Sequence, residues 1–366
     1  MATSEDGSRF IAGSRRSAKD NLKNRGSASI YAFDEREGSY VLVTQIHGDD
    51  AGDQCGYSVA MSKDGTRVAI GSLGSDKNGS NSGQVRVFDE NTSTKEWQLV
   101  QEFLGEVEGS LFGTSVSLSQ DGTKLAVGAP HYGSTDASRT GKTYTYKEVE
   151  AAAWDPMGDP LTGDLASDLF GWSVSWSPDA NLLAVGAPGE DDGTRSGYVK
   201  VYAHRSNQWT SMGGSISNDF PGDRFGFSLY LGSNDSRYRV AVGAPGTASA
   251  NGKDSGYAGV YEYDGSSWLP VGNGVLGGWG EQLGYAVSLA PNAERMIVGV
   301  PNQLSNGLPA GQIQVFDVTG ESLVLNGEFV GNAREDLGVS GTISYDGKII
   351  FGGTTAGNSI RAWGEL

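Results

Sequence analysis

The sequence predicts an all-β fold, a seven-bladed β-propeller of four-stranded antiparallel blades, and three observations support this prediction. Glycine supplies 56 of the 366 residues, about twice its usual share, whereas charged residues make up only 19%. No segment carries the apolar stripe of an amphipathic helix over a useful length. The third observation is an internal repeat of about 56 residues, and tandem repeats of this kind are typical of propeller blades.

A glycine preceded by an apolar residue marks each repeat and recurs every 54 to 58 residues. The marker glycines are Gly56, Gly113, Gly171, Gly226, Gly284 and Gly338. They divide the chain, as a single domain over 1–366, into units of approximately 1–53, 54–110, 111–168, 169–223, 224–281, 282–336 and 337–366. Seven full repeats would need roughly 26 more residues, so we expect the propeller to be incomplete at both termini.

Each unit reads as four short strands in order. Strand one follows the marker glycine and alternates small with apolar residues, as in Ser115 and Val116. The small residues favour close packing between blades, although the hydroxyl row would also suit a polar tunnel. Asp64-Gly65 then predicts a two-residue hairpin turn. Strand two is a wholly apolar run, which indicates burial on both faces.

Strands three and four complete the unit. Strand three, as in residues 84–88, alternates with period two, which predicts a half-exposed outer strand. Strand four often carries a tryptophan near its start. Because these tryptophans recur in register, we interpret them as packing between blades and not as a binding site; they are Trp97, Trp154, Trp209 and Trp268.

Charge and composition exclude several classes of function. A formal net charge of −17 argues against nucleic acid and anionic membranes as partners, since both require basic patches. Cys55 is the only cysteine, which excludes an internal disulfide framework and a thiolate metal cluster. No apolar run is long enough to cross a bilayer, and Met1 leads into polar residues without a signal peptide.

The motif of the repeat resembles a known family. The pattern Phe-Gly-x-Ser-Val, a strand ending in Val-Gly-Ala-Pro and then Gly-x-Val-x-Val-Tyr is similar to the FG-GAP repeat; residues 170–174, 185–188 and 197–202 show it. This repeat builds the seven-bladed head of integrin α subunits, and it also occurs in bacterial and algal surface proteins and in some fungal lectins. The resemblance covers essentially the whole chain, although Phe-Gly is replaced at Cys55-Gly56, Leu283-Gly284 and Leu337-Gly338.

The resemblance implies a non-enzymatic interaction or adhesion module, located outside the cell or on its surface and part of a longer polypeptide. Its expected partner is a protein or a glycan. A carbohydrate-binding, lectin-like propeller and a structural domain of a larger surface protein are the alternatives, and a hydrolase is the least favoured. Several integrin units carry a calcium loop with three aspartates, whereas the same turn here has only Asp64 beside Lys63. Calcium takes about six to eight oxygen ligands, so we expect no metal site and no cofactor.

Ligand binding is expected on one end of the propeller. In an up-and-down blade the strand 2–3 and strand 4–1 connections share an end, and the strand 2–3 connections are long, as binding loops usually are. An acidic residue precedes most marker glycines by two or three positions. These carboxylates either form a ring that holds a cation or a cationic group or accept backbone N–H groups where strand one begins; they are Asp53, Asp168, Asp223, Glu281 and Asp336.

Further candidates lie in the same connections. His131, Tyr132 and Tyr257 offer rings that would suit a sugar. The cluster Glu190, Asp191 and Asp192 favours a solvated loop tip over weak binding of a divalent cation. The histidines fall in different units, and no nucleophile elbow or zinc-binding motif is present. We therefore predict no catalytic residues.

Overall fold

A computed structural model describes residues 1–133, 139–150, 153–190, 195–218, 220–234, 237–355 and 359–364. Every regular element in these ranges is a β-strand, and they contain no helix that could span a bilayer. The strands form seven antiparallel sheets in chain order, and these are the blades of a seven-bladed β-propeller. The predicted fold class is confirmed.

The chain divides into two compact units. The first comprises residues 1–174 and 205–209, and the second comprises residues 175–204 and 210–366. Blades 1 to 3 belong to the first unit. Blades 5 to 7 and most of blade 4 belong to the second.

The first unit starts with two blades of four strands each. Blade 1 comprises β1 (Ala2–Thr3), β2 (Arg9–Ser14), β3 (Ser27–Asp34) and β4 (Ser39–His47). Blade 2 comprises β5 (Ser58–Met61), β6 (Arg67–Ser72), β7 (Gln84–Glu90) and β8 (Trp97–Leu104). Blade 3 comprises β9 (Ser115–Leu118), β10 (Lys124–Ala129), β11 (Lys142–Glu150), β12 (Ala153–Pro156) and β13 (Leu161–Thr162).

The later blades follow the same order. Blade 4 comprises β14 (Ser173–Trp176), β15 (Leu182–Ala187), β16 (Tyr198–Arg205) and β17 (Gln208–Ile216). Blade 5 comprises β18 (Ser228–Asn234), β19 (Arg237–Ala244), β20 (Tyr257–Tyr263), β21 (Trp268–Pro270) and β22 (Val275–Leu276). Blade 6 comprises β23 (Ala286–Leu289), β24 (Arg295–Val300), β27 (Gln312–Val318) and β28 (Leu323–Val330), with a small hairpin of β25 (Leu304–Ser305) and β26 (Leu308–Pro309) between β24 and β27. Blade 7 comprises β29 (Ser340–Ile343), β30 (Ile350–Gly353) and β31 (Ile360–Trp363).

The outer strand is broken in two blades. In blade 3 both β12 and β13 pair with β11, and in blade 5 both β21 and β22 pair with β20. β12 ends at Pro156 and β21 ends at Pro270. Proline has no N–H for the strand ladder and is confined to sheet edges, so the fourth strand is interrupted without loss of the blade.

The apolar cores lie between neighbouring blades. One cluster joins Val85 and Phe103 of blade 2 to Leu125 and Val127 of blade 3. In the second unit, Val260 of blade 5 packs in one cluster with residues of blade 6 such as Val298. Within each unit, neighbouring sheets therefore bury apolar side chains against one another, as the apolar strand-two pattern predicts.

The motif glycines and serines make the closest contacts between blades. A Cβ added at Gly128 would overlap the carbonyl oxygen of Gly171 in the next repeat. Ser115 Oγ donates to the same Gly171 oxygen at 2.8 Å, and Ser58 Oγ donates to Gly113 O at 2.7 Å. The packing interpretation of the small strand-one residues is therefore confirmed.

The strand 1–2 turn is longer than the predicted two-residue hairpin. In blade 2, residues 62–66 separate β5 from β6, and Gly65 adopts a φ of 71°. Ser62 Oγ donates to Asp64 Oδ1 at 2.6 Å, and the same carboxylate oxygen accepts the Thr66 N–H at 3.0 Å. The prediction was wrong about the length because the backbone closes a longer turn, in which Gly65 N donates to Ser62 O and Ser62 N donates to Arg67 O, each at 2.9 Å, and the side-chain bonds stabilise it further.

In blade 2, strand three is more buried than predicted. Six of the seven residues of β7 are buried, whereas the fourth strand β8 is mostly exposed or half-buried. In blade 3 the third strand β11 keeps a half-exposed second half, as predicted. The half-exposed outer strand of blade 2 is thus the fourth, because apolar side chains of neighbouring sheets cover β7.

Candidate functional site at the loop end

The long connections of each unit lie together at one end, which we call the loop end. In the first unit, Gln54 N donates to Asn24 O at 3.0 Å and Gly74 N donates to Asp53 O at 3.1 Å. These bonds tie the strand 4–1 connection to the strand 2–3 loops of two blades. In the second unit, Gly280 N donates to Lys253 O at 3.0 Å in the same way. The loop end is therefore held by backbone hydrogen bonds between connections.

The acidic series at the loop end accepts backbone N–H groups. Asp53 Oδ2 accepts the N–H of Asp49 at 2.7 Å and of Asp50 at 2.8 Å. Asp168 Oδ2 accepts the N–H of Asp164 at 2.9 Å and of Leu165 at 2.8 Å. These bonds are those of a cap on the strand 4–1 connection.

Asp223 is fully buried and belongs to the same series. Its Oδ1 accepts the N–H of Gly197 at 3.1 Å and of Phe225 at 3.0 Å. Burial raises the pKa of Asp223 to about 6, although the Phe225 and Gly197 N–H groups act in the opposite direction. Burial also raises the pKa of Asp53. A buried carboxylate with these bonds positions the connection and is not open to a ligand.

The last two members of the series differ from each other. Glu281 Oε2 accepts the Gly278 N–H at 2.5 Å, whereas Asp336 accepts the Thr355 hydroxyl at 2.7 Å. Before the seventh blade the capping position is taken by Glu335, which accepts the Asn332 N–H at 2.7 Å. Glu335 was not among the predicted site residues, although a strict spacing of three residues before Gly338 identifies it.

The aromatic candidates are half-buried. Lys142 Nζ lies 3.8 Å from the centre of the Tyr132 ring. The Tyr257 hydroxyl lies 3.2 Å from the Tyr261 hydroxyl, and burial raises the pKa of Tyr257. His131 is half-buried, and its backbone N–H donates to Ser110 O at 3.2 Å. His131 and Tyr132 belong to the first unit and Tyr257 belongs to the second.

The acidic loop is only partly described. Glu190 is half-buried, and Asp191 and Asp192 lie outside the described residues. Within the described ranges, no group of three or more His, Cys, Asp or Glu side chains is placed to hold a metal ion.

The most exposed large apolar side chain among the described residues was not among the predicted site residues. Trp279 is 78% exposed and lies in the strand 4–1 connection between blades 5 and 6. Phe220, in the preceding connection, is 52% exposed. A single tryptophan between Gly278 and Gly280 has no counterpart in the other repeats, and its position outside the register was the signal available in the sequence.

The described cavity at the opposite end is polar. It has a volume of about 410 Å³ and is lined by residues that include Arg295, Asp317, Asp346 and Lys348. Arg295 Nε donates to Asp317 Oδ1 at 2.9 Å, and Arg295 also donates to Gly347 O at 3.0 Å. The cavity is therefore bordered by groups that pair with one another.

The fold and the repeat together define the class of this protein, a seven-bladed β-propeller that contains FG-GAP repeats. A family model described as the FG-GAP repeat matches residues 46–88 and 163–202. The first match runs from the end of β4 to β7, so it spans one strand 4–1 connection and the three strands that follow. The predicted family resemblance is confirmed at the level of the repeat.

Comparison with solved structures agrees on the fold. The chain is similar to a protein described as a 6-phosphogluconolactonase from Bacteroides uniformis, with a TM-score of 0.66 and 11% identity over 98% of this chain and 92% of the other. It is similar to a periplasmic gluconolactonase from Pseudomonas aeruginosa, with a TM-score of 0.60 and 15% identity over 97% and 91%. The C-terminal WD40 domain of Sif2 gives a TM-score of 0.58 and 13% identity over 100% and 95%. No curated protein matches the sequence.

Proposed function

We propose that the chain is a non-enzymatic interaction module that binds a macromolecular ligand at the loop end. The observation that carries this proposal is the contrast between the two parts of the repeat. The motif residues, such as Gly128 and Ser115, are buried in contacts between blades. The connections of the loop end instead present Phe220 and Trp279 to solvent. Rigid scaffolds commonly carry their binding residues on such loops.

An extracellular location is part of the same proposal. FG-GAP repeats commonly occur in extracellular proteins, and this chain carries them. Adhesion at a cell surface is the role that best combines this location with a rigid binding scaffold. A glycan ligand is the second candidate, and the exposed Trp279 favours it.

Paired surface variants test the proposal. The biotin-labelled chain is applied to arrays of purified extracellular proteins and of glycans. The loop-end variant Phe220→Ser/Trp279→Ser is compared with Leu99→Ser/Leu325→Ser, which removes two exposed apolar side chains from the outer strands β8 and β28. We expect the loop-end variant to lose binding and the outer-strand variant to retain it, with equal melting temperatures.

Assays of lactone hydrolysis test whether the chain is an enzyme instead. Two of the similar structures are described as lactonases, and at their low identity they support the fold alone. We expect no hydrolysis of gluconolactone or 6-phosphogluconolactone above the blank. Saturable turnover of either lactone would overturn the proposal, and binding retained by the loop-end variant would remove the loop end from it.

A further inference from the structure

The side chain of Trp279 lies against the backbone of a neighbouring loop. Gly252, in the strand 2–3 loop of blade 5, has a φ of 124°, and a Cβ added there would collide with Trp279 Cδ1. Only glycine allows the tryptophan side chain to approach the chain this closely. The indole N–H has no hydrogen-bond partner among the described residues. The Cβ, Cγ and Cδ1 atoms of Trp279 are therefore packed beside Gly252, while the side chain as a whole stays 78% exposed.

Three polar side chains form hydrogen bonds to backbone groups of the connection that carries Trp279. Asn251 Nδ2 donates to Gly277 O at 3.0 Å, and Asn302 Nδ2 donates to Gly280 O at 3.1 Å. Glu281 Oε2 accepts the Gly278 N–H at 2.5 Å. These bonds occupy the amide nitrogens of both asparagines and one carboxylate oxygen of Glu281. Asn251 Oδ1, Asn302 Oδ1 and Glu281 Oε1 have no partner in the described part of the chain.

The arrangement selects for a particular ligand chemistry. The ligand must offer a flat apolar face to the indole and hydroxyl donors at its edge to the acceptor oxygens. In the segment 277–282, which reads Gly-Gly-Trp-Gly-Glu-Gln, Trp279 is the single apolar side chain and the acceptor oxygens lie close to it in the chain or in adjoining loops. A pyranose ring has both properties, since its axial C–H groups form an apolar face and its hydroxyls project at the rim.

We propose that Trp279 is the stacking platform of a binding site for a neutral sugar ring, with Asn251, Asn302 and Glu281 as acceptors for its hydroxyls. This inference rests on the proposed function and names the ligand class of the loop end. The site lies wholly in the second unit of the chain. It occurs once in the described repeats, as expected of a specific site on a symmetric scaffold.

Calorimetric titration with short neutral oligosaccharides of glucose, mannose, galactose and N-acetylglucosamine tests the site. We expect at least one to bind the wild-type chain, and we expect Trp279→Ala to weaken that binding by about tenfold or more. Asn302→Ala should weaken it to a smaller extent because it removes one acceptor. Phe33→Ala is the control, since it removes an aromatic ring that is 45% exposed on β3, outside the loop-end connections, and it should bind like the wild type.

Melting temperatures of the variants distinguish a loss of sugar binding from a loss of folding. Because Trp279 is 78% exposed, its replacement should leave the melting temperature unchanged. The sugar site is wrong if no oligosaccharide binds, if Trp279→Ala binds as the wild type does, or if the ligand that depends on Trp279 is a protein. In the last case the proposal of an interaction module is retained and only the sugar is wrong as its ligand class. Lactone turnover would contradict both proposals.

Discussion

Single glycines carry much of the packing between the blades. Gly128 and Gly171 belong to successive repeats, yet the α-carbon of one lies against the carbonyl of the other. The hydroxyl of Ser115 adds a hydrogen bond to the same carbonyl. Of these two glycines, Gly171 has a positive φ of 88° and Gly128 does not. Glycine is therefore required at position 128 because the Gly171 carbonyl lies so close, and not because of its backbone conformation.

Gly128→Ala should destabilise the protein strongly. The new methyl group has no space next to the Gly171 oxygen, so the two sheets must separate. Overpacking of this kind costs about 1–3 kcal/mol or more, and urea unfolding measures the loss.

Gly320→Ala is the control for this substitution. No atom lies within 4 Å of a Cβ added at Gly320, and an unstrained alanine restricts the unfolded chain. The control should be neutral or slightly stabilising. Equal stability of the two variants would show that the contact between Gly128 and Gly171 does not hold the blades together.

The buried Asp223 makes stability depend on pH. Burial raises the pKa of Asp223 from 3.8 to about 6. Between these values the folded chain holds a proton that the unfolded chain has lost, so the stabilising contribution of this group falls as the pH rises from about 4 to about 6. Relative to Asp223→Asn, the wild type should lose about 2–3 kcal/mol of unfolding free energy across this window.

Urea unfolding of both proteins at several pH values measures this difference. Asp264→Asn is a control of opposite sign, because the Ser267 and Ser266 N–H groups lower the pKa of Asp264. The contribution of Asp264 should be lost as the pH falls. A constant difference between the wild type and Asp223→Asn would contradict the raised pKa.

At the scale of the strand, arginines at the start of strand two clamp neighbouring blades. Arg67, the first residue of β6, donates to Asp89 of its own blade at 2.6 Å through Nε. It also donates to Glu148 of blade 3 at 2.6 Å and to Gly122 O in the strand 1–2 turn of that blade at 3.0 Å. Arg9 reaches Glu90 and Gly65 O of blade 2 in the same manner.

Arg67→Met should weaken the contact between blades 2 and 3. The Asp89 and Glu148 carboxylates raise the pKa of Arg67, which shows that the pair favours the charged arginine. The Arg67 side chain is 14% exposed, so its loss removes a largely buried guanidinium that pairs with the partly buried Asp89 and Glu148 carboxylates. We expect a loss of about 1–3 kcal/mol in thermal or urea unfolding.

An exposed ion pair gives the comparison for this clamp. The side chain of Arg237 is 67% exposed and pairs with Glu262. Arg237→Met should cost less than about 1 kcal/mol. If both substitutions have the same small effect, the clamp does not contribute to the packing of the blades.

At the scale of the whole molecule, the net charge of −17 limits the class of partner. The arginines described above are paired with carboxylates inside the blades and do not form a basic surface. Long-range repulsion therefore acts on any polyanion that approaches the chain.

We expect no binding to duplex DNA or to anionic lipid vesicles at physiological salt. Gel retardation and vesicle sedimentation measure these two interactions, and a protein with a basic patch serves as the positive control. Retention of DNA with a strong salt dependence would show that the positive charges are arranged differently from the pairs described here.

The sequence determined the repeat and, with it, the fold. The marker glycines, the apolar run of strand two and the tryptophans of strand four are local patterns, and each recurs often enough to be recognised. The length of the strand 1–2 turn and the burial of β7 were predicted incorrectly, because both depend on groups that local periodicity does not show. Ser62 and Asp64 add side-chain bonds to the longer turn, and apolar side chains of neighbouring sheets cover β7.

Only the tertiary structure decided which side chains are free to act. Asp53 and Asp168 stand in the sequence as possible ligands, and folding commits them to backbone N–H groups. Trp279 is isolated in the sequence, and folding sets its ring on Gly252, which lies 27 positions earlier. Contacts between residues so far apart depend on how loops from different strands meet, and no local pattern contains that information.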